Sequence, residues 1–210
     1  GVSALLSHFR AGDALVINES KVIPARVFSL DEVEILFLRE EDPLHWQVLF
    51  PARETAIGAE LKLPLDLTLT LEQKGLPQRV RLSRPIDGDY FAKVGEVALP
   101  PYIQQARGQR HNRAQDLAWY QTDWAKFPGS IAAPTASLHL RNSDLEILRD
   151  RGVEILTVTL HVGAGTFLPV KARELKDHVM HPEWAEVSGL TAERIAQVRK
   201  EGGRIWALGT

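Results

Sequence analysis

The residue best suited to acid–base chemistry stands where a long apolar run breaks into a polar, glycine-spaced turn: His161, followed by Gly163, Gly165 and Thr166, in the stretch EILTVTLHVGAGTF from Glu154 to Phe167. An imidazole titrates near neutrality and so can take or give a proton at physiological pH. Apolar residues on both parities of the run predict a strand covered on both faces, and ligands of α/β sheets sit at the carboxyl ends of such strands. The small residues of the turn let another molecule approach the backbone. Two further histidines lie in short motifs. His139 ends GSIAAPTASLHL, a segment of small residues with Pro134 and Thr135, whose composition suits backbone lying against a ligand. His181 opens HPEW beside Glu183. The pattern alone equally allows His161 as a core histidine and the glycines as ordinary turn formers.

Other candidates follow the same logic. Asn18 and Ser20 are delivered into a polar loop by the strand Ala14 to Ile17, and Arg26 follows Pro24 directly. As a plain surface reading, these are turn formers and a solvated charge. Arg107, Arg110 and Arg113 fall in LPPYIQQARGQRHNR, which carries no acid and is expected to be a flexible cationic loop able to meet phosphate. Tyr120 and Trp124 come just after, placed either to stack an unpaired base or to fill a core. His178, His181 and Glu183 raise a metal hydrolase as a rival, but Pro182 breaks the helical face they would need, and no metal is expected.

Composition narrows the classes. The 210 residues contain no cysteine, which removes disulfides, thiolate zinc sites and cysteine-held iron–sulfur clusters. A net charge of −2 means that any nucleic acid must be held by a local basic patch. With no long apolar span and no signal-peptide pattern, a soluble, cytoplasmic monomer away from membranes is expected. The chain starts at Gly1 and stops at Thr210 inside a strand pattern, so both ends are expected to be cut from a longer chain.

The elements that must position these residues fall into two textures. Residues 29–100 read as short strands, Val33 to Leu38, Trp46 to Phe50, Ala59 to Leu63, Leu67 to Leu71, Val80 to Leu82 and Tyr90 to Val94, with one dry and one wet face. They predict a small antiparallel β-barrel inserted into a mostly parallel α/β domain made of residues 1–28 and 101–210. In that domain Val2, Leu5, Leu6 and Phe9 predict a helix, and Ser143 with Glu146 a capping box. Arg173 to Val179 reads as one short helix, and Thr191 as the cap of another, stapled by Leu190 and Ile195. The strand–helix alternation of the last third predicts parallel pairing.

VINESKVIPARVF, LPPYI, YQTDWA, GSIAAPTASLHL, TLHVGAGTF and HVMHPEW, in this order, resemble the motifs of the S-adenosylmethionine:tRNA ribosyltransferase-isomerase family of queuosine biosynthesis. The resemblance implies transfer of the ribosyl part of S-adenosylmethionine onto 7-aminomethyl-7-deazaguanine at the wobble position, in the anticodon loop of tRNA. Isomerisation gives epoxyqueuosine, with adenine and methionine released. Ser137 replaces the usual glycine, Leu140 an aromatic, and the Ser29 to Val33 link is shorter than the family's barrel entry. A sulfonium acidifies the neighbouring C5′ hydrogens, so a base there starts the reaction through an ylide, without metal or redox chemistry. His161 ranks first as that base, before His139 and His181. The rival from another class is a tRNA-binding module without activity in truncated form.

Overall fold

The computed structural model describes residues 1–163, 165, 174, 176 and 182–209. It divides into two compact units, Gly1–Val22 with Ala118–Thr210, and Ile23–Leu117. The expected insertion, 29–100, lies wholly inside the second.

The first unit opens with helix α1 (Val2–Leu6), strand β1 (Ala14–Asn18) and strand β2 (Ser20–Val22). The second holds β3 (Arg26–Phe28), β4 (Glu34–Asp42), β5 (His45–Leu49), β6 (Glu60–Leu63), β7 (Leu67–Gln73), β8 (Gln78–Leu82), α2 (Tyr90–Val94) and α3 (Pro101–Arg107). A one-turn helix, α4 (Asp116–Trp119), leads back to β9 (Phe127–Ser130), a 3-10 turn (Thr135–His139) and α5 (Asn142–Asp150). Strands β10 (Glu154–His161) and β11 (Trp184–Glu186), helix α6 (Gly189–Lys200) and strand β12 (Ile205–Ala207) complete the first unit.

The sheet of the first unit has the order β11-β10-β1-β12. β1 runs parallel to both β10 and β12, as the strand–helix alternation predicts, whereas β11 is antiparallel to β10. The sheet is therefore mixed. A separate parallel pair joins β2 to β9. Period-two alternation sorts the apolar side chains onto two faces. Leu15, Ile17, Ile155 and Trp206 pack with Leu6 and Phe9 and with Leu145 and Leu148 of α5. Ala14, Val16, Leu156 and Ile205 pack on Val198 and Ile195 of α6. Covering on both faces is what the apolar parity of β10 required.

At the amino-terminal edge of this sheet Asp13 is buried and accepts hydrogen bonds from the backbone of Arg10 and Arg204, the Arg204 guanidinium and the Trp206 indole. Those bonds, Arg204 foremost, hold its carboxyl well below the usual carboxylate range against the opposing cost of burial. The helix caps differ from expectation. The Asp144 carboxylate accepts from the Arg141 backbone N–H at 2.9 Å, so α5 starts one residue before Ser143. Ser188, not Thr191, caps α6, its hydroxyl accepting from Thr191 N–H at 3.0 Å, while Leu190 is exposed and staples nothing. The short helix expected at Arg173 to Val179 falls largely outside the described residues.

The six strands of the second unit follow the order β3-β4-β5-β8-β7-β6, all pairs antiparallel. The Leu30 N–H donates to the Lys62 carbonyl at 2.8 Å just beyond β3, so the two edge strands approach and the sheet is nearly closed. Leu67, Leu69 and Leu71 point inward and are fully buried, with Val80, Leu82, Ile35 and Phe37. Tyr90 to Val94, expected as a strand, is helical: Tyr90 is buried and Phe91 packs edge-on against Phe37 and Trp46, a spacing α2 satisfies in one turn.

Candidate active site

β1 ends at Asn18, and there its side chain takes over from the ladder. The Asn18 amide donates to the Leu160 carbonyl at 2.8 Å, and its oxygen accepts from the Leu160 N–H at 3.0 Å and from Ser20 N–H at 3.0 Å. Asn18 holds the end of the sheet with these three bonds. Beyond β10 the chain is pinned again. The buried Ser130 hydroxyl accepts from Val162 N–H at 2.9 Å and donates to the Ala132 carbonyl at 2.9 Å, and Ile131 N–H donates to Val162. Residues 131–134, expected to lie against a ligand, are instead buried by the protein itself. Their small side chains let that backbone pack flat on the end of β10.

His161 is held between these segments. Its ring stacks on Trp184, centroids 4.9 Å apart and planes at 23°, because the two residues are cross-strand partners of β10 and β11. The ring also packs against Gly129, where a Cβ would come within 2.8 Å of ring atoms Cε1 and Nε2. Gly129 has φ +145°, a conformation that favours glycine. The Nδ1 atom is buried and has no hydrogen-bond partner. An orphaned buried nitrogen in a folded protein asks for a functional explanation. Burial lowers the His161 pKa below the ordinary imidazole value, so the ring is neutral near pH 7.

His161 lines an open cleft of about 400 Å³ with Glu19, Phe127, Thr159, Trp184 and Glu186. That volume lies within the roughly 300–1,000 Å³ of small-molecule sites. Thr157, Thr159 and His161 share one parity of β10 and face the same side as their cross-strand neighbours Glu186 and Trp184. Next to the cleft, Gly163 N–H donates to the Glu183 carboxylate at 2.8 Å. Among the described residues, a Cβ on Gly163 would meet the Glu183 side chain first, at 3.5 Å, an ordinary contact, whereas a Cβ on Gly129 would overlap the His161 ring.

A family model described as queuosine biosynthesis protein matches residues 1–210. This chain belongs to the queuosine biosynthesis protein family. Over all of its length it is 40% identical to the S-adenosylmethionine:tRNA ribosyltransferase-isomerase of Parvibaculum lavamentivorans and 41% identical to that of Dinoroseobacter shibae, covering 62% of each. The chain thus spans about three fifths of the length of these curated relatives. A crystal structure of S-adenosylmethionine tRNA ribosyltransferase from Thermotoga maritima is 24% identical, with a TM-score of 0.33 over 97% of this chain and 54% of its own.

In this member of the queuosine biosynthesis family the remaining candidates are dispersed. His139 is exposed at the end of the 3-10 turn, Thr135 is exposed at its start, Pro134 is buried, and Gly165 is half-buried. His181 and Thr166 lie outside the described residues, as does His178. Among the described residues no group of three His, Asp or Glu side chains is arranged to hold a metal ion, and no helix is long and apolar enough to cross a membrane. Arg26 belongs to the second unit and is buried, its guanidinium donating to Glu96 at 2.7 Å and to the Arg110 carbonyl at 2.8 Å. It was read as a substrate contact, and its hydrogen bonds make it a clamp within its own unit.

The basic segment is also answered by acids its own sequence does not show. Arg107 is on helix α3, not a loop, and pairs at 2.7 Å with the buried Asp116. Burial pushes the Asp116 carboxyl upward, but the Arg107 and Arg113 bonds outweigh it and the net shift is downward. Arg110 lies over the Phe28 ring and 3.7 Å from Glu34, and Arg113 bonds Gln109. His111 bridges Glu96 at 2.9 Å and Glu32 at 3.0 Å, which raise its pKa. Trp124 packs on the α1/α5 core with its indole N–H on the Asn18 carbonyl, and Tyr120 is buried. Trp124 is half-buried, whereas Trp119 and Phe127 are exposed. Glu19, Phe127 and Gly129 went unread as site residues: each lies in a quoted or adjoining motif, but only the β2–β9 pairing brings them to His161.

Proposed function

We propose that this chain carries the base of an S-adenosylmethionine:tRNA ribosyltransferase-isomerase, moving the ribosyl unit of S-adenosylmethionine onto 7-aminomethyl-7-deazaguanine at the wobble position of tRNA. Family membership and the names of its relatives support the reaction. One geometric observation carries the assignment: a neutral imidazole, stacked on Trp184 and packed against Gly129, lines an open cleft at a strand's carboxyl end. In this reading the C5′–H bond beside the sulfonium breaks, the proton goes to His161, and the electron pair stays on carbon as a sulfur-stabilised ylide. A lowered pKa makes His161 a weaker base but keeps it unprotonated, and so ready, near neutrality. Loss of adenine, attack by the aminomethyl group and departure of methionine then require no metal or redox partner.

The wider reading is a mostly parallel α/β domain with an inserted β-barrel, working as a cytoplasmic monomer. Gly163, Gly165 and Glu183 would border S-adenosylmethionine. Arg110 and Arg113 would meet tRNA phosphate. The test uses full-length protein, S-adenosylmethionine and an anticodon stem-loop. His161→Ala and His161→Gln should each slow adenine release by on the order of a hundredfold while S-adenosylmethionine still binds. Wild-type turnover in a folded His161→Gln protein would remove the base from this residue.

A further inference from the structure

The cleft that contains His161 also holds two carboxylates that the proposed reaction does not use. Glu19 follows the end of β1 and Glu186 stands on β11, two residues from Trp184 and on its side of the sheet. Neither forms an ion pair among the described residues. The cation closest in sequence to Phe127, Lys126, lies over the Phe127 ring at 4.7 Å rather than on either carboxylate. The same cleft presents half-exposed aromatic faces: Trp184 is 53% and Phe127 42% accessible. Two uncompensated anions repel phosphate, so this is not a place for the tRNA backbone. An aromatic wall with carboxylates beside it is the arrangement that holds a flat ring system bearing a positive charge.

We infer that Glu19 and Glu186 are specificity-determining residues that read the positive charge of a heteroaromatic ligand seated on Trp184 and Phe127. The inference rests on the proposed reaction, which supplies two ligands of this chemistry. S-adenosylmethionine joins adenine through ribose to a sulfonium, and 7-aminomethyl-7-deazaguanine joins a deazapurine to an ammonium. The carboxylates would select the charged donor over a neutral thioether analogue, or the charged base over an uncharged one.

Calorimetry on full-length protein tests this in two arms. The first compares S-adenosylmethionine with S-adenosylhomocysteine, which lacks the S-methyl group and with it the charge on sulfur. The second compares 7-aminomethyl-7-deazaguanine with its 7-methyl analogue. Wild type should prefer the charged member of at least one pair by roughly tenfold or more, as a close charge pair allows. In the Glu19→Gln, Glu186→Gln double variant that preference should fall to within about threefold, with affinity for the neutral member unchanged. The arm in which preference disappears assigns the carboxylates to sulfonium or to ammonium. A wild-type preference that survives both substitutions, or no preference in either arm, overturns the inference and leaves the reaction standing. Failure of all four compounds to bind would sink the proposed reaction itself, and this inference with it.

Discussion

Replacing Gly129 by alanine puts the geometry of His161 to a direct test. The new Cβ would lie 2.8 Å from two ring atoms, where carbon–carbon contacts settle at about 3.5–4.0 Å. The ring must therefore retreat by about 1 Å, and its stack on Trp184, centroids 4.9 Å apart, restricts where it can go. Displacement of a catalytic group by about 1 Å can cost on the order of a hundredfold in rate. The backbone adds its own cost, because φ of +145° suits glycine alone; overpacking and strain each contribute about 1–3 kcal/mol. Adenine release by full-length Gly129→Ala protein should fall nearly as far as in His161→Ala. In urea unfolding the double variant Gly129→Ala, His161→Ala should be more stable than the sum of its singles by about 1–2 kcal/mol, since removing the ring relieves the overlap and leaves only the backbone strain. Strict additivity, or wild-type turnover in Gly129→Ala, would refute the packing described here.

The second unit yields three further predictions. The raised pKa of His111 means that its bridge to Glu96 and Glu32 stabilises the fold fully below the ordinary histidine value of about 6.5 and is lost as pH rises through the raised folded value. Thermal melts of wild type should lose stability across that window and those of His111→Gln should not; parallel pH profiles would remove the bridge from the account. Arg107→Ala strands a buried carboxylate and should cost about 3–5 kcal/mol, with little change in the salt slope of tRNA binding. Arg110→Ala with Arg113→Ala should flatten the slope by about one to two units in filter binding, and an unchanged slope would place the tRNA elsewhere.

What the sequence discloses depends on whether a residue's partner is near in the chain. Leu67, Leu69 and Leu71 declared their buried face because alternation is local, and β10 declared cover on two sides because both parities are apolar. His161 stood out for the same reason, at the end of a legible strand. Arg26 and Arg107 did not, since the carboxylates that claim them, Glu96 and Asp116, lie 70 and 9 residues away. A segment free of acids can still be neutralised by the fold around it. β11 was missed because a three-residue strand carries no period to read, and its antiparallel course follows from topology. Trp124 and Tyr120 resolved toward the core, where aromatic area most often goes.

The paired bonds between the Asn18 amide and both backbone groups of Leu160 hold the end of the ladder without choosing how the strands align. A parallel pair can slide by two residues and keep every side chain on its proper face, so hydrophobic sorting does not detect the error. Such a slide would carry His161 about 6.6 Å along the sheet, out of reach of Gly129 and the Ser130 clasp. The amide holds whichever register forms, because every non-proline residue offers the same N–H and carbonyl; the register is read instead by Gly129, the residue that leaves room for the His161 ring. Asn18→Asp keeps the shape but turns the donor into an acceptor facing the Leu160 carbonyl, so it loosens the end of the ladder while the Gly129–His161 contact still selects the alignment.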